Sequence, residues 1–178
     1  MKTSNRRTVF NGKVIDIEQL DVEIGSRGCH TFQIIRHPGG AAVLPVHADG
    51  SITLIRQLRP AAAAMLLEVP AGRLAPGEEP QLCAARELQE ETGIRADRLI
   101  SLGLIHSSPG VFDEVIHLFA AQGLAHGEAR PEDDEEIELL HLPFGEALRM
   151  AADGRISDAK TLAALFRWEL FQRFAEGP

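Results

Sequence analysis

The order in which hydrophobic periods follow one another constrains this chain more than any other feature. Residues 14–24 alternate apolar and polar positions with a period near two, and 31–36, 42–46 and 52–58 are short β-branched or apolar runs. Asp49-Gly50 lies between two such runs and predicts a tight hairpin, because this dipeptide tolerates positive φ. Pro38-Gly39-Gly40 marks a second break, and LLEVP (66–70) reads as a strand leading into the turn-rich AGRLAPGEE. Only then does a helix arrive, from about Pro80 to Thr92, with proline suited to its first position and Gly93 to its stop. Strands resume at 99–106, 115–120 and 137–142, before helical stretches over 144–152 and 158–174. Such a series has no strand–helix–strand alternation. It predicts an α/β protein of the α+β type, with a mixed sheet covered by a few helices.

A chain of 178 residues without internal repeats is read as one unit. Its 44% hydrophobic and 25% charged residues are those of a globular chain and exclude disorder as the main state. No apolar run approaches the ~18 residues of a membrane span, and MKTSNRRTVF lacks the core of a secretory signal, so no membrane partner and a cytoplasmic location are expected. Cys29 and Cys83 are too few for a disulfide framework and are expected to be buried or half-buried thiols. With 18 basic against 26 acidic residues the net charge is −8, which argues against nucleic acid as a partner. The acids are unevenly placed, crowding into 78–91, 113–114 and 132–138.

On a helix over 80–92, Leu82, Ala85 and Leu88 fall on one side and Glu87, Glu90 and Glu91 within about 100° on the other. Like charges at this spacing disfavour a helix by a few tenths of a kcal/mol per pair. Two explanations fit: a solvated acidic face, or a seat for divalent cations, which take carboxylate oxygens and share their remaining positions with phosphates.

From Gly72 the sequence reads GRLAPGEEPQLCAARELQEETGI. It resembles the Nudix box, whose defined positions are met by Gly72, Glu78, Arg86, Glu87, Leu88, Glu90, Glu91, Gly93 and Ile94. The resemblance implies the Nudix fold, a mixed sheet sandwiched between helices, here with an N-terminal antiparallel β region. It also implies hydrolysis of a nucleoside diphosphate linked to another group. Two or three Mg²⁺ ions per site, replaceable by Mn²⁺, would neutralise phosphoryl oxygens and activate water. Carried over by position, Glu87 and Glu91 are the main metal ligands, with Glu90 assisting and the Ala71 carbonyl as a further ligand. Arg86 orients the carboxylates.

Three more stretches resemble the ADP-ribose pyrophosphatase subgroup. SSPGVFDE places Pro109 sixteen residues after Gly93, with Gly110 and Glu114 around it. RQLRPAAAAMLLEVPAG has Arg59 and Glu68 at matching places, and GRISDAKTLAAL (154–165) is similar to the start of the last helix. That likeness implies conversion of ADP-ribose to AMP and ribose 5-phosphate. The general base would come from PEDDEEIELL, with register favouring Glu135 and Asp133 and Glu136 close behind. Arg36 and Arg59 match arginines that hold phosphate or base, which suits their planar fork. Glu68 would orient, Glu114 would contact the terminal ribose, and Gly110 belongs to the substrate loop. Phe32 and Phe10 are the available stacking partners for the base, since the chain has no Tyr and its single Trp168 lies in the last helix.

Members of the subgroup are typically homodimers whose N-terminal strands complete the partner's site. Accordingly, residues 1–40 are read as a region for dimerisation and base binding, and 41–178 as the hydrolase domain. A GDP-mannose type nucleotide-sugar pyrophosphatase shares much of the pattern and is the alternative. A non-catalytic ADP-ribose-binding regulator is the third reading, and the retained Glu87, Glu90 and Glu91 speak against it. The seven histidines show no ligand-like spacing and receive no role.

Overall fold

The computed structural model describes residues 2–130 and 136–175. The chain divides into two compact units, one of residues 1–39 with 106–115 and one of 40–105 with 116–178.

The first unit is built on an antiparallel meander of β1 (Thr3–Asn11), β2 (Asp16–Glu23) and β3 (Cys29–Arg36), in that spatial order. β2 pairs β3 without a slip from Asp16↔Arg36 to Glu23↔Cys29. The period-two reading holds: Leu20 and Val22 are buried while their neighbours are not. The sequence does not predict β1, because TSNRRTVFN carries few apolar residues and every one of its positions is exposed. Backbone pairing to β2 makes it a strand, aided by Asn5 and Asn11 amides donating to Asp21 and Asp16, each at 2.7 Å. Residues 111–113 are tied to β3: the Ile35 N–H donates to the Val111 carbonyl at 2.8 Å, and the Asp113 N–H to the Ile35 carbonyl at 3.1 Å. Cys29 is exposed rather than half-buried, since it stands at the open start of β3.

The second unit follows as β4 (Gly40–Pro45), β5 (Ser51–Arg59), β6 (Ala64–Glu68), β7 (Ala71–Arg73), α1 (Pro80–Thr92), β8 (Ile94–His106), β9 (Val115–His126), β10 (Ile137–Pro143), α2 (Phe144–Ala152) and α3 (Ala159–Ala175). One sheet is ordered β7-β4-β9-β8, with β4 parallel to β9 and antiparallel to β7; the other is ordered β10-β5-β6 and is antiparallel. The central strand β4 is buried along its whole length. Its alternate side chains enter two cores: Ala42 and Leu44 face a cluster with Leu118, Ala147, Leu165 and Trp168, while Ala41 and Val43 face Cys83, Ala84 and Leu88 of α1. The mixed sheet is therefore covered on both faces.

Asp49-Gly50 does form a tight turn, with the His47 N–H donating to the Ser51 carbonyl at 2.8 Å and Gly50 at φ +80°. It does not make a hairpin of one sheet. Beyond the bridge Val46↔Ile52 the two strands part, β4 to the mixed sheet and β5 to the antiparallel one. In α1 the buried side is Cys83, Ala84, Leu88, Glu91 and Thr92, whereas Leu82 is 63% exposed and Ala85 is also on the surface. The expected apolar face is thus turned, and a carboxylate takes part in the packed side. In α3, Trp168 is core but Phe166 and Phe174 are exposed. No described helix is long and apolar enough to cross a membrane.

Gly93 ends α1 with φ +70°, and a Cβ there would lie 2.6 Å from the Gly127 carbonyl oxygen and 2.8 Å from the Ala129 nitrogen. Both obstacles are backbone. Gly93→Ala is expected to cost more than the roughly 1 kcal/mol of left-handed strain alone, and to lower the urea midpoint with the m-value unchanged.

Candidate active site

The loop that leads from β7 into α1 is organised by one arginine. Arg86 donates from Nε to Glu78 Oε1 at 2.9 Å, from Nη1 to Glu87 Oε1 at 2.7 Å and to Glu90 Oε2 at 2.9 Å, and from Nη2 to the Arg73 carbonyl at 3.1 Å. Three carboxylates gathered on one cation remove most of the repulsion that the acidic face would otherwise carry. The hydrogen bonds from Arg86, with one from the Ala75 N–H, push the Glu78 carboxyl down to about 2. Arg86 itself is raised far above the ordinary guanidinium range, chiefly by its bonds to Glu78.

Gly72 allows this helix to come close. A Cβ on it would stand 1.9 Å from Glu87 Oε1, so the carboxylate occupies the space that any side chain would fill. Glu91, one turn further along α1 and 2% exposed, meets the same loop at the preceding residue and accepts the Ala71 N–H at 3.0 Å on Oε2. The Cys83 thiol is buried beneath, donating to the Arg73 carbonyl at 3.4 Å. Burial, then the Glu87 charge, pushes it up to about 12, which makes it inert as a nucleophile at neutral pH.

The donor chemistry fits a hard divalent cation: carboxylates on the face of α1, a backbone carbonyl at residue 71, and a glycine cradle that holds Glu87 close to the loop. Among the described residues no three His, Cys, Asp or Glu side chains already form an ion-holding group. Three of the carboxylates are instead drawn onto Arg86.

A second charged group lies in the same unit. Arg59 at the end of β5 grips Glu68 at the end of β6 with both Nε and Nη2, at 2.8 and 2.7 Å. Lys160 of α3 also binds Glu68 Oε2, and donates to Asp158 Oδ1 at 3.0 Å. Burial opposes ionisation of Glu68, but the Arg59 hydrogen bonds and the Lys160 charge outweigh it and hold its carboxyl below the ordinary range. Sequence reasoning places Arg59 and Glu68 in the site and gives Lys160 no part. The signal available for it is a lone lysine followed by an apolar run, KTLAAL, after an Asp158–Thr161 cap.

Arg36, Glu114, Gly110 and Phe32 belong to the first unit. Arg36 is held by Glu18 at 2.8 Å and Asp113 at 2.9 Å, and these bonds, that to Asp113 foremost, raise its pKa. Glu114 stands 3.3 Å from His37 Nδ1. Gly110 lies in an exposed turn with open space around its Cα, and Phe32 and Phe10 are both partly exposed on the meander. Glu136 is exposed just before β10, while Asp133 and Glu135 lie outside the described residues.

Three of the scattered histidines come together. His47 just beyond β4, His126 at the end of β9 and His141 within β10 stack or meet edge-on around a cavity of about 590 Å³ that Thr92 and Ile94 also line. Burial, then the charges of His141 and His126, lowers the pKa of His47. Linear spacing could not show this, because the residues are 79 and 15 positions apart and meet only through the sheets.

Known proteins resemble this chain in sequence and in fold. A family model described as NUDIX domain matches residues 36–165. The chain is 38% identical over 92% of its length to an ADP-ribose pyrophosphatase of Bacillus subtilis, covering 90% of that protein. It is 37% identical, with the same coverages, to a methanol dehydrogenase activator of Bacillus methanolicus. With a GDP-mannose pyrophosphatase of Cronobacter sakazakii it shares 38% identity over 91% of this chain and 88% of that one. A crystal structure of a protein described as an ADP compounds hydrolase superposes with a TM-score of 0.85, covering 99% of this chain and 95% of the other at 24% identity, which establishes the likeness of fold.

Proposed function

The chain belongs to the NUDIX domain family, and on that premise we propose that it hydrolyses the pyrophosphate bond of ADP-ribose to AMP and ribose 5-phosphate. The observation that carries the hydrolytic reading is the packing of Gly72 against Glu87, with Arg86 gathering Glu78, Glu87 and Glu90 beside it. The choice of ADP-ribose is supported by the B. subtilis pyrophosphatase, which this chain matches over nearly its full length.

Glu87, Glu91 and the Ala71 carbonyl would hold divalent ions, two or three Mg²⁺ with Mn²⁺ as a substitute, and Glu90 would assist. The chemistry such ions would supply is neutralisation of phosphoryl charge and a lowered pKa for bound water. The protein's own part is to orient and to accept a proton. Arg86 holds the carboxylates apart from one another's charge. Arg59 and Arg36 bind phosphate or base, Glu68 orients Arg59, and Glu114 and Gly110 bound the ribose end. Phe32 stacks on the base. An acid of the 133–136 run, Glu135 ahead of Asp133 and Glu136, takes the proton from the attacking water. Residues 1–40 serve dimerisation and base binding, 41–178 the chemistry, and the working form is a cytoplasmic homodimer with no nucleic-acid or membrane partner.

Hydrolysis of a GDP-mannose type nucleotide sugar is the second reading, supported by the C. sakazakii relative. The deciding experiment incubates the protein with ADP-ribose or GDP-mannose plus Mg²⁺ and alkaline phosphatase, which attacks the monophosphate products and not the intact diphosphates. ADP-ribose is expected to be turned over at least about tenfold faster, a difference of about 1.4 kcal/mol in transition-state binding, and EDTA is expected to abolish AMP formation read by chromatography without the phosphatase, itself a metalloenzyme. Faster release from GDP-mannose overturns the substrate assignment. No release from either, with retained ADP-ribose binding, puts the regulator in its place.

A further inference from the structure

We propose that Lys160 is a positioning residue of this enzyme: through Glu68 it fixes the Arg59 guanidinium as a preset donor for a phosphate oxygen of the substrate. The proposal rests on the reading of the chain as a nucleoside-diphosphate hydrolase.

The geometry runs from the interior outward. Lys160, in the first turn of α3, has a side chain 10% exposed, Glu68 is 1% exposed, and Arg59 is 37% exposed. Asp158 accepts from the Thr161 N–H at 2.9 Å and the Thr161 hydroxyl at 2.6 Å, and that hydroxyl in turn accepts the Val69 N–H at 2.8 Å. The start of α3 is thereby fastened to the chain beside Glu68: Thr161 holds residue 69 and Lys160 holds the carboxylate itself.

Neutralisation alone does not account for the lysine. Arg59 already supplies Glu68 with a bidentate cation, and burying an ammonium beside it is costly unless it is well paired. Lys160 recovers that cost by bonding Glu68 and Asp158 together. Its effect on Glu68 is to remove the carboxylate's freedom to turn. Because Glu68 takes both Nε and Nη2 of Arg59, an immobile carboxylate means an immobile guanidinium plane. Nη1 is the edge of the fork that Glu68 does not take. Glu68 stands three residues before Ala71, whose N–H donates to Glu91 at 3.0 Å, so the segment that holds the Arg59 fork is the one fastened to the box helix; the Glu91 charge adds to the stabilisation of the Arg59 cation. A guanidinium edge held on the segment that Glu91 fastens has the chemistry to meet a phosphate oxygen, and its pre-set orientation spares the ordering cost on binding.

The test compares wild type with Lys160→Met, which keeps the length and apolar stem, and Lys160→Arg, which restores a cation. For Lys160→Met the KM for ADP-ribose is expected to rise about tenfold with kcat within about twofold, the signature of lost uniform binding. Calorimetric affinity of the metal-free protein for ADP-ribose should weaken by the same factor, and Lys160→Arg should recover most of both. Thermal unfolding is recorded in parallel. A lower melting temperature with KM and metal-free affinity unchanged overturns the proposal, since that is the mark of a merely structural lysine. If Lys160→Met does not fold, Asp158→Asn is used: a rise in KM in the same direction supports the proposal, and an unchanged KM overturns it. A wild type that turns over no diphosphate fails the functional reading separately; the Lys160 comparison is then read on metal-free ADP-ribose affinity, where an unchanged value overturns it.

Discussion

Glu91→Gln is expected to lower kcat for ADP-ribose by on the order of 10³-fold, because a ligand that helps a metal stabilise transition-state charge is worth several kcal/mol and each 1.4 kcal/mol is tenfold. The fold should survive. Glu91 accepts the Ala71 N–H on one oxygen, a bond that the amide oxygen of Gln can keep, and the two side chains have nearly the same volume. Steady-state kinetics with Mg²⁺, set beside far-UV circular dichroism and the melting temperature, reads the two quantities apart. Retained ADP-ribose binding with lost turnover places Glu91 in the chemistry. Activity within about tenfold of wild type would remove Glu91 from the metal site and leave it as a helix-to-loop fastener.

Gly72→Ala separates activity from stability by a different route. The Cβ would fall 1.9 Å from Glu87 Oε1 and 2.5 Å from Oε2, so the carboxylate must leave its place. It is the tip of a flexible side chain, and moving it demands no backbone shift. The melting temperature is therefore expected to change by only a few degrees, in line with a cost near ~1 kcal/mol. Turnover is expected to fall by about 10²-fold, the usual consequence of a roughly 1 Å misplacement of a catalytic group. The contrast with Gly93→Ala is the internal control: there the obstacle is the backbone of residues 127–129, and the loss should be chiefly in stability. If Gly72→Ala keeps full activity, Glu87 is not where the reaction needs it.

Most of the chemistry of α1 is legible in the order of residues. A helix beginning at Pro80 and stopped at Gly93 puts Arg86, Glu87, Glu90 and Glu91 within reach of one another by helical geometry alone, and the structure shows that reach used by Arg86. The buried side of the same helix is not legible in that way. Leu82 and Ala85 are exposed and Glu91 is buried, because the helix is turned by its need to pack against β4 and β7, a demand that periodicity does not contain. β1 is invisible for a related reason: its residues are polar and it owes its strand state to pairing with β2. At Asp49-Gly50 the turn is legible and its outcome is not, since the choice between one sheet and two is made by β9 and β10 arriving much later in the chain.

Local sequence by itself determined the elements whose partners lie within a few residues: the α1 boundaries, the Arg86 ion pairs within the helix, the Asp49-Gly50 turn and the alternation of Leu20 and Val22. Tertiary structure alone decided what depends on distant segments. It brought Lys160 to a carboxylate 92 positions away, joined His47 to His126 and His141, and seated Glu87 in the space left by Gly72. The physical reason is the range of the interactions. Helix geometry and turn strain act through neighbouring covalent bonds, whereas burial and ion pairing depend on which surfaces the completed sheets bring into contact.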